Sequence, residues 1–409
     1  MTNLTRKEDR STPEGGLNWT NPFRRILILS VAGLGDFVLG TPALRAIRQH
    51  FPQASIWILT IPEVSELAQR CPYVNTVRTL DLRRVRSGLV WRLGSMRQEV
   101  LRLIRELRGI RFDLAINLYK VETRLGGLRM AAFLRATKAQ CSIGRWSEGR
   151  AMGFDLVSKE EGHEIDAQLG VVRLVGAIPT SALPELWVTD KDRLACVSLL
   201  DRHAISQGDR VVCLHAGAGQ PEKRWPRENF VAVGRRLAEA GACILLIGAP
   251  GDRGLCLSLA EAIPSAISLA GETSLPILAA LLQQSTLLVT NDSGPMHMAV
   301  ALGVPLVVPF GPSSPDRFGP RGRGACVIFS TPQHSNSQAW WEGIPAQAVS
   351  DAKWPSMTSR CSMVAPACST CAICSPNRAK SAARIEGMIS IICGLLRFYH
   401  SGEKSIAGL

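Results

Sequence analysis

The 409-residue chain has no run of 18 or more uncharged apolar residues, so no transmembrane helix is expected. Its first twenty residues, MTNLTRKEDRSTPEGGLNWT, lack the apolar centre of a secretory signal. Acid is scarce: 34 Asp and Glu stand against 47 Lys and Arg, a formal net charge of +13. That imbalance predicts an anionic partner, whether nucleic acid, a membrane surface or a phosphorylated substrate. No nucleic-acid-binding motif is present, so the first of these is not expected. Apolar residues are not short: 46% hydrophobic and 20% charged are globular values, which excludes a mainly disordered chain. Twelve cysteines without an export signal predict free, buried thiols in a reducing compartment, hence a cytoplasmic protein.

Two domains are the economical count for this length. Residues 1–23 are polar, with Pro and Gly, and read as a flexible tail. The apolar run Ile26–Leu29 reads as a parallel strand covered on both faces. A glycine turn, a helix from Asp36 to Gln49 and a strand Ser55–Thr60 complete one β–turn–α–β unit. Residues 81–111 hold nine arginines among leucines at helical spacing. The segment reads as an amphipathic surface helix, or as a docking face for anionic headgroups. A strand Phe112–Leu118 follows. Residues 179–192, with two prolines and no helical period, suit an interdomain linker. Strand–turn–helix text resumes with strand Val211–His215, helix Glu228–Ala240 and strand Cys243–Gly248. Strand Ser285–Thr290, helix Asp292–Leu302 and strand Val304–Phe310 come next. The expected fold class is therefore α/β, with the βαβ pattern once in each half.

Three turns carry the chemistry. Gly33-Leu34-Gly35-Asp36 resembles a dinucleotide fingerprint, but the position of the third glycine holds Val38. A nicotinamide-dependent oxidoreductase is disfavoured on that ground. The turn instead offers Asp36 at a strand's C-terminal edge and a helix N-terminus, where ligands bind in open α/β sheets; Asp is also a favoured helix cap. The second turn, from His215 to Pro226, sets Gly217 and Gly219 before Lys223 and Arg224. Exposed backbone amides and a point charge there suit a phosphate. In the third, Thr290 to His297, amides at a helix start favour a diphosphate, and Asp292 can accept sugar hydroxyls.

Taken together, GDFVLGTPAL, KRWP and VTNDSGPMHMAVALGVPLVVPFGPSSPDRFGP resemble the signature blocks of glycosyltransferase family 9, the lipopolysaccharide heptosyltransferases. LAGETSLPILAALLQQSTLLV fits the stretch before the last block, and the matches run in order over about residues 24–320. The resemblance implies a GT-B fold, two Rossmann-like domains facing across a cleft that closes for catalysis. Residues 24–185 would form the acceptor domain, residues 186–378 the donor domain, and residues 379–409 a helix packing back on the first. It also implies inverting, metal-independent transfer of a sugar from a nucleotide-diphosphate donor, with ADP-heptose the expected donor and no cofactor. The acceptor would be an anionic lipid-linked glycan of the lipopolysaccharide-core type, met at the inner face of the cytoplasmic membrane. By motif position, Asp36 would be the general base. Lys223 would hold the donor phosphates and Asp252 a ribose. Asp292 would bind the sugar, and Ser293, Gly294 and His297 would cradle the diphosphate. Gly35, Thr41 and Arg97 would face the acceptor. Ala216, Gly217, Ala218 and Gly219 stand where relatives tend to carry hydroxyl residues, which leaves the phosphate to backbone amides. A non-catalytic nucleotide-sugar or glycan-binding protein is the alternative, but a binding module has no need of a base such as Asp36.

One cluster falls outside this scheme. Cys361, Cys368, Cys371 and Cys374 have the C-x2-C steps of zinc or iron–sulfur ligands, though not zinc-ribbon or ferredoxin spacing. Metal binding and free thiols both remain open for them. Residues 331–360, with Trp340, Trp341 and Trp354, read as an irregular insertion.

Overall fold

The computed structural model describes residues 6–7, 18–19, 23–81, 94–147, 153–206, 208–323 and 326–330. The cysteine cluster, the tryptophan-bearing insertion and the C-terminal segment lie outside the described residues, as does most of residues 1–22. Within that last stretch, Arg6–Lys7 pairs with Asn18–Trp19 in a short antiparallel ladder. The chain divides into two units, Met1–Trp187 and Val188–Leu409. Among the described residues, no helix is long and apolar enough to cross a membrane.

The first unit is built on a six-stranded parallel sheet. Its strands are β1 (Arg25–Ser30), β2 (Ser55–Thr60), β3 (Thr76–Thr79), β4 (Leu114–Asn117), β5 (Cys141–Arg145) and β6 (Leu156–Ser158). They run in the order β3-β2-β1-β4-β5-β6. β1 is central, and its sequence RILILS is buried from the second residue on, as helices on both faces require. Four principal helices cover the sheet: α1 (Leu34–His50), α3 (Gly94–Ile110), α4 (Arg124–Thr137) and α5 (Glu164–Arg173), with the short α2 (Ser65–Gln69) beside them. α1 packs on α5 and α3 on α4. Leu103 and Leu107 of α3 and Leu134 of α4 share a core with Leu27, Leu29 and Phe112. The α1–α5 approach is close: a Cβ on Gly40 would meet Gln168 Oε1 at 2.7 Å.

Two expectations need adjusting. α1 begins at Leu34, two residues before Asp36, and runs through Pro42 to His50. The stretch read as linker ends in a helix, because α6 (Asp190–Arg202) starts inside it. A capping box explains the start: Thr189 Oγ1 accepts the Asp192 amide at 3.3 Å, and Asp192 Oδ2 accepts the Thr189 amide at 3.0 Å.

The second unit repeats the plan. Its strands are β7 (Val211–His215), β8 (Cys243–Leu246), β9 (Ile267–Ser268), β10 (Leu287–Thr290), β11 (Leu306–Phe310) and β12 (Cys326–Ser330). Their order is β9-β8-β7-β10-β11-β12, parallel throughout. Helices α7 (Arg227–Glu239), α8 (Arg253–Ala262), α9 (Leu275–Gln284) and α10 (Gly294–Leu302) complete it. Both sheets thus have the dinucleotide-fold strand order, whose ligand edge is the C-terminal end of the central strands. The fold is α/β with two Rossmann-like domains, the GT-B class. Every candidate turn identified in the sequence stands at such an edge.

Candidate active site

In the first unit, the turn after β1 leads straight into α1. Gly33 is the N-cap and Asp36 the third helical residue, so Asp36 is not itself the cap. Its Oδ2 accepts the Gly33 amide at 3.0 Å, which points the carboxylate back over the helix start. Two charged side chains face it, Glu164 of α5 and Arg145 of β5, and these form a buried ion pair with each other. Gln168 Nε2 donates to the Asp36 carbonyl at 3.4 Å and toward Glu164 Oε1 at 3.5 Å, tying α5 to this turn. Loss of water contact, reinforced by the Glu164 charge, pushes Asp36 up to about 6; the Gly33 amide and Arg145 oppose the shift. A carboxylate titrating there is ionised at neutral pH yet basic enough to take a proton.

The residues expected near the acceptor separate. Gly35 lies in the first turn of α1 and Arg97 is exposed on α3. Thr41 must be withdrawn. It is fully buried; its hydroxyl donates to Val38 O at 2.8 Å and accepts the Glu185 amide at 2.9 Å. Both capacities are spent on packing, which leaves nothing for a ligand.

In the second unit, three turns meet at the sheet edge. Asn291, just past β10, is fully buried at their junction. Its Nδ2 donates to Ala216 O at 2.9 Å and Gly217 O at 3.2 Å, while Oδ1 accepts the Trp225 amide at 2.9 Å. One side chain thus fixes both ends of the loop that carries Lys223. Lys223 Nζ lies 2.7 Å from Asp292 Oδ2, which also accepts from the Ser313 hydroxyl. The lysine and the aspartate read as ligand groups therefore neutralise each other here. Gly217 is buried and Gly219 exposed. Gly217 lies against Asp252, where a Cβ would come within 2.7 Å of Oδ2, so glycine is what allows the β7 and β8 turns to meet. Asp252 Oδ2 accepts the Ala249 amide at 3.0 Å.

His215 ends β7 beneath the third turn. Burial, with Arg224 adding to it, pushes its imidazole down to about 4 against the pull of Asp252, so the ring is neutral at physiological pH. Its Nδ1 lies 3.2 Å from Thr290 Oγ1 and 3.1 Å from Ser293 Oγ. Ser293 is the N-cap of α10, but its hydroxyl is turned to His215 and donates to Asn291 O, so no side chain caps the helix. The amides at the start of α10, Gly294 first, are thereby left to a ligand, and helix dipole and open donors both favour an anion. His297, one turn further, is buried. Asn291, His215, Arg145 and Glu164 had no assigned role in the sequence, because each acts through partners remote in the chain.

Residues 100–340, more than half of the chain, match the sequence pattern of glycosyltransferase family 9 (heptosyltransferase). The chain belongs to glycosyltransferase family 9. It is a glycosyltransferase, and the oxidoreductase and non-catalytic readings fall with that membership. The lipopolysaccharide heptosyltransferase 2 of Salmonella typhimurium is 27% identical over 317 residues, covering 74% of this chain and 87% of the relative. A family 9 glycosyl transferase from Veillonella parvula superposes with a TM-score of 0.63 at 24% identity, over 75% of this chain and 86% of its own. The ADP-heptose lipopolysaccharide heptosyltransferase II of E. coli superposes with a TM-score of 0.61 at 21% identity, over 83% and 98%. At these identities the two solved structures speak for the shared fold of the family 9 chain.

Proposed function

We propose that this family 9 enzyme transfers a heptose from ADP-heptose, with inversion and without a metal, to a lipid-linked acceptor of the lipopolysaccharide-core type, working in the cytoplasm. The observation that carries this reading is the Asp36 carboxylate, held over the start of α1 by the Gly33 amide and pushed up to about 6. Asp36 takes the proton from an acceptor hydroxyl as its oxygen attacks the anomeric carbon. The bond from that carbon to the diphosphate breaks, and its electron pair leaves on the diphosphate. A single displacement of this kind inverts the configuration. Lys223 and the amides of Ser293 and Gly294 carry the charge that develops on the leaving group, the part a metal ion plays elsewhere. Gly217 and Gly219 admit the phosphates to the main chain, Asp252 takes the ribose, and His297 supports the diphosphate turn from behind. Asp292 receives the sugar, and the incoming diphosphate competes for the lysine it now holds. The printed names of the relatives above support heptose and the lipopolysaccharide acceptor.

The test is incubation with ADP-heptose and a heptose-deficient lipopolysaccharide core, with chelator present, following ADP release and product mass. The expected result is a product one heptose heavier, with the opposite anomeric configuration and a chelator-insensitive rate. A retained configuration would overturn the displacement mechanism. A rate abolished by chelator would overturn metal independence, and transfer only from another nucleotide sugar would overturn the donor.

A further inference from the structure

We infer that the outward face of α4 is a docking surface that seats the first unit on an anionic lipid bilayer. α4 spans Arg124–Thr137 and buries Gly127, Leu134 and Thr137 against its own sheet. On the opposite side Leu125 and Leu128 stand 56% and 53% exposed, two of the few large apolar side chains open to water. With 3.6 residues per turn, Leu125, Leu128 and Ala132 form one strip, flanked by Arg124 and Arg135 on one side and Arg129 on the other.

Isolated exposed leucines need no explanation; their company here does. The helix has three arginines and no acid. None of the three makes an ion pair or side-chain hydrogen bond among the described residues, whereas Arg78, Arg173 and Arg193 on the same chain are paired with Glu106, Glu160 and Asp190. An apolar strip between unneutralised cations is the pattern of a helix lying in a bilayer interface. The leucines enter the acyl boundary while the guanidinium groups stay among lipid phosphates. Charge complementarity points to this occupant, since a water-facing helix gains nothing from leaving three arginines unpaired. The neighbouring α3 extends the surface, with Leu101 39% exposed beside outward arginines. Lipid docking requires no sugar transfer, so it stands or falls separately from the reaction proposed above.

The experiment is co-sedimentation of the full chain with phosphatidylcholine vesicles, with and without phosphatidylglycerol, at low and high salt and with no nucleotide present. Binding is expected only with phosphatidylglycerol, and it should weaken as salt screens the charges. Leu125→Ser/Leu128→Ser should lower partitioning about tenfold even at low salt, where the charges are intact. Arg124→Gln/Arg129→Gln/Arg135→Gln should lower it and flatten the salt dependence. Both variants should keep the parent melting temperature, since the altered side chains face outward. Three results would overturn the proposal: no binding to anionic vesicles, parent-like binding by both variants, or a leucine variant whose only change is a dimer becoming a monomer. The last would make the strip a contact between copies of the chain.

Discussion

The two units share one strand order and use the same sheet edge for opposite kinds of chemistry. At the first edge a single carboxylate, Asp36, faces a buried ion pair, and its reactivity comes from charge and lost hydration. At the second, three turns are tied by Asn291, His215 and the Lys223–Asp292 pair, and the amides at the start of α10 are left uncapped. The first is an electrostatic site with little hydrogen-bonded scaffolding; the second is scaffolding that holds charges apart from solvent. A common topology supplies only the location, and the residues grafted on the edge decide what happens there.

Asp36→Asn tests the first edge and should have the largest effect. The expected loss is about 10²–10⁴-fold in kcat with donor KM unchanged, the range for removing a positioned general base. Stability gives an independent check of sign. A carboxylate raised from 3.8 to about 6 binds its proton more tightly folded than unfolded, so its ionisation costs stability as pH rises through that window. The Asn variant should therefore melt higher than the parent at neutral pH and lose that advantage below about pH 4. Near-parent turnover would reduce Asp36 to a helix-start contact.

Lys223→Ala tests the second edge. Nucleoside-diphosphate binding should weaken by about 1.5–3 kcal/mol, the range for a hydrogen bond to a charged group, while nucleoside binding is nearly unchanged. Because the substitution also strands the Asp292 carboxylate, Asp292→Asn added to it should recover part of the loss, a coupling that a double-mutant cycle measures. Equal losses for nucleoside and diphosphate would place Lys223 away from the phosphates.

How far the sequence reached follows from the distance over which each contact acts. The buried run of β1, the glycine turns and Asp36 were legible because strand burial and turn chemistry are written in neighbouring residues. The role of Asn291 was hidden, since its partners Trp225, Ala216 and Gly217 lie 66 to 75 residues away. Thr41 was misread for the same reason, its hydroxyl being taken by Glu185, 144 residues on. The start of α6 could have been read: Thr189 followed three residues later by Asp192 is a capping box inside what looked like linker.

Asn291→Ala sharpens the contrast. It frees the Trp225 amide and two carbonyls in a buried place, and each orphaned group costs about 1–3 kcal/mol. Donor KM should rise and the melting temperature of the second unit should fall. The acidic limb of kcat/KM, which belongs to the first unit, should stay at about 6. A limb that moved with Asn291 would mean that the titrating group belongs to the donor turns.

Glu164→Gln carries the smallest effect and the finest test. In the parent, kcat/KM should fall as pH drops through about 6, where Asp36 takes up its proton. Glu164 is the chief charged group that holds it there, so neutralising Glu164 should move the limb to lower pH, toward the ordinary carboxylate range. Arg145, no longer paired, should push in the same direction. At pH 7.5 the rate should change little, falling slightly because a less basic carboxylate is a weaker catalyst. The substitution also leaves Arg145 buried without its partner, so a lower melting temperature is expected from that cause alone. Arg145→Met/Glu164→Met removes both charges and restores stability if that is the cause. Its acidic limb should then sit where loss of hydration alone places it. If the limb stays at about 6 in Glu164→Gln, burial sets the basicity of Asp36 unaided, and the ion pair serves only to hold β5 against α5.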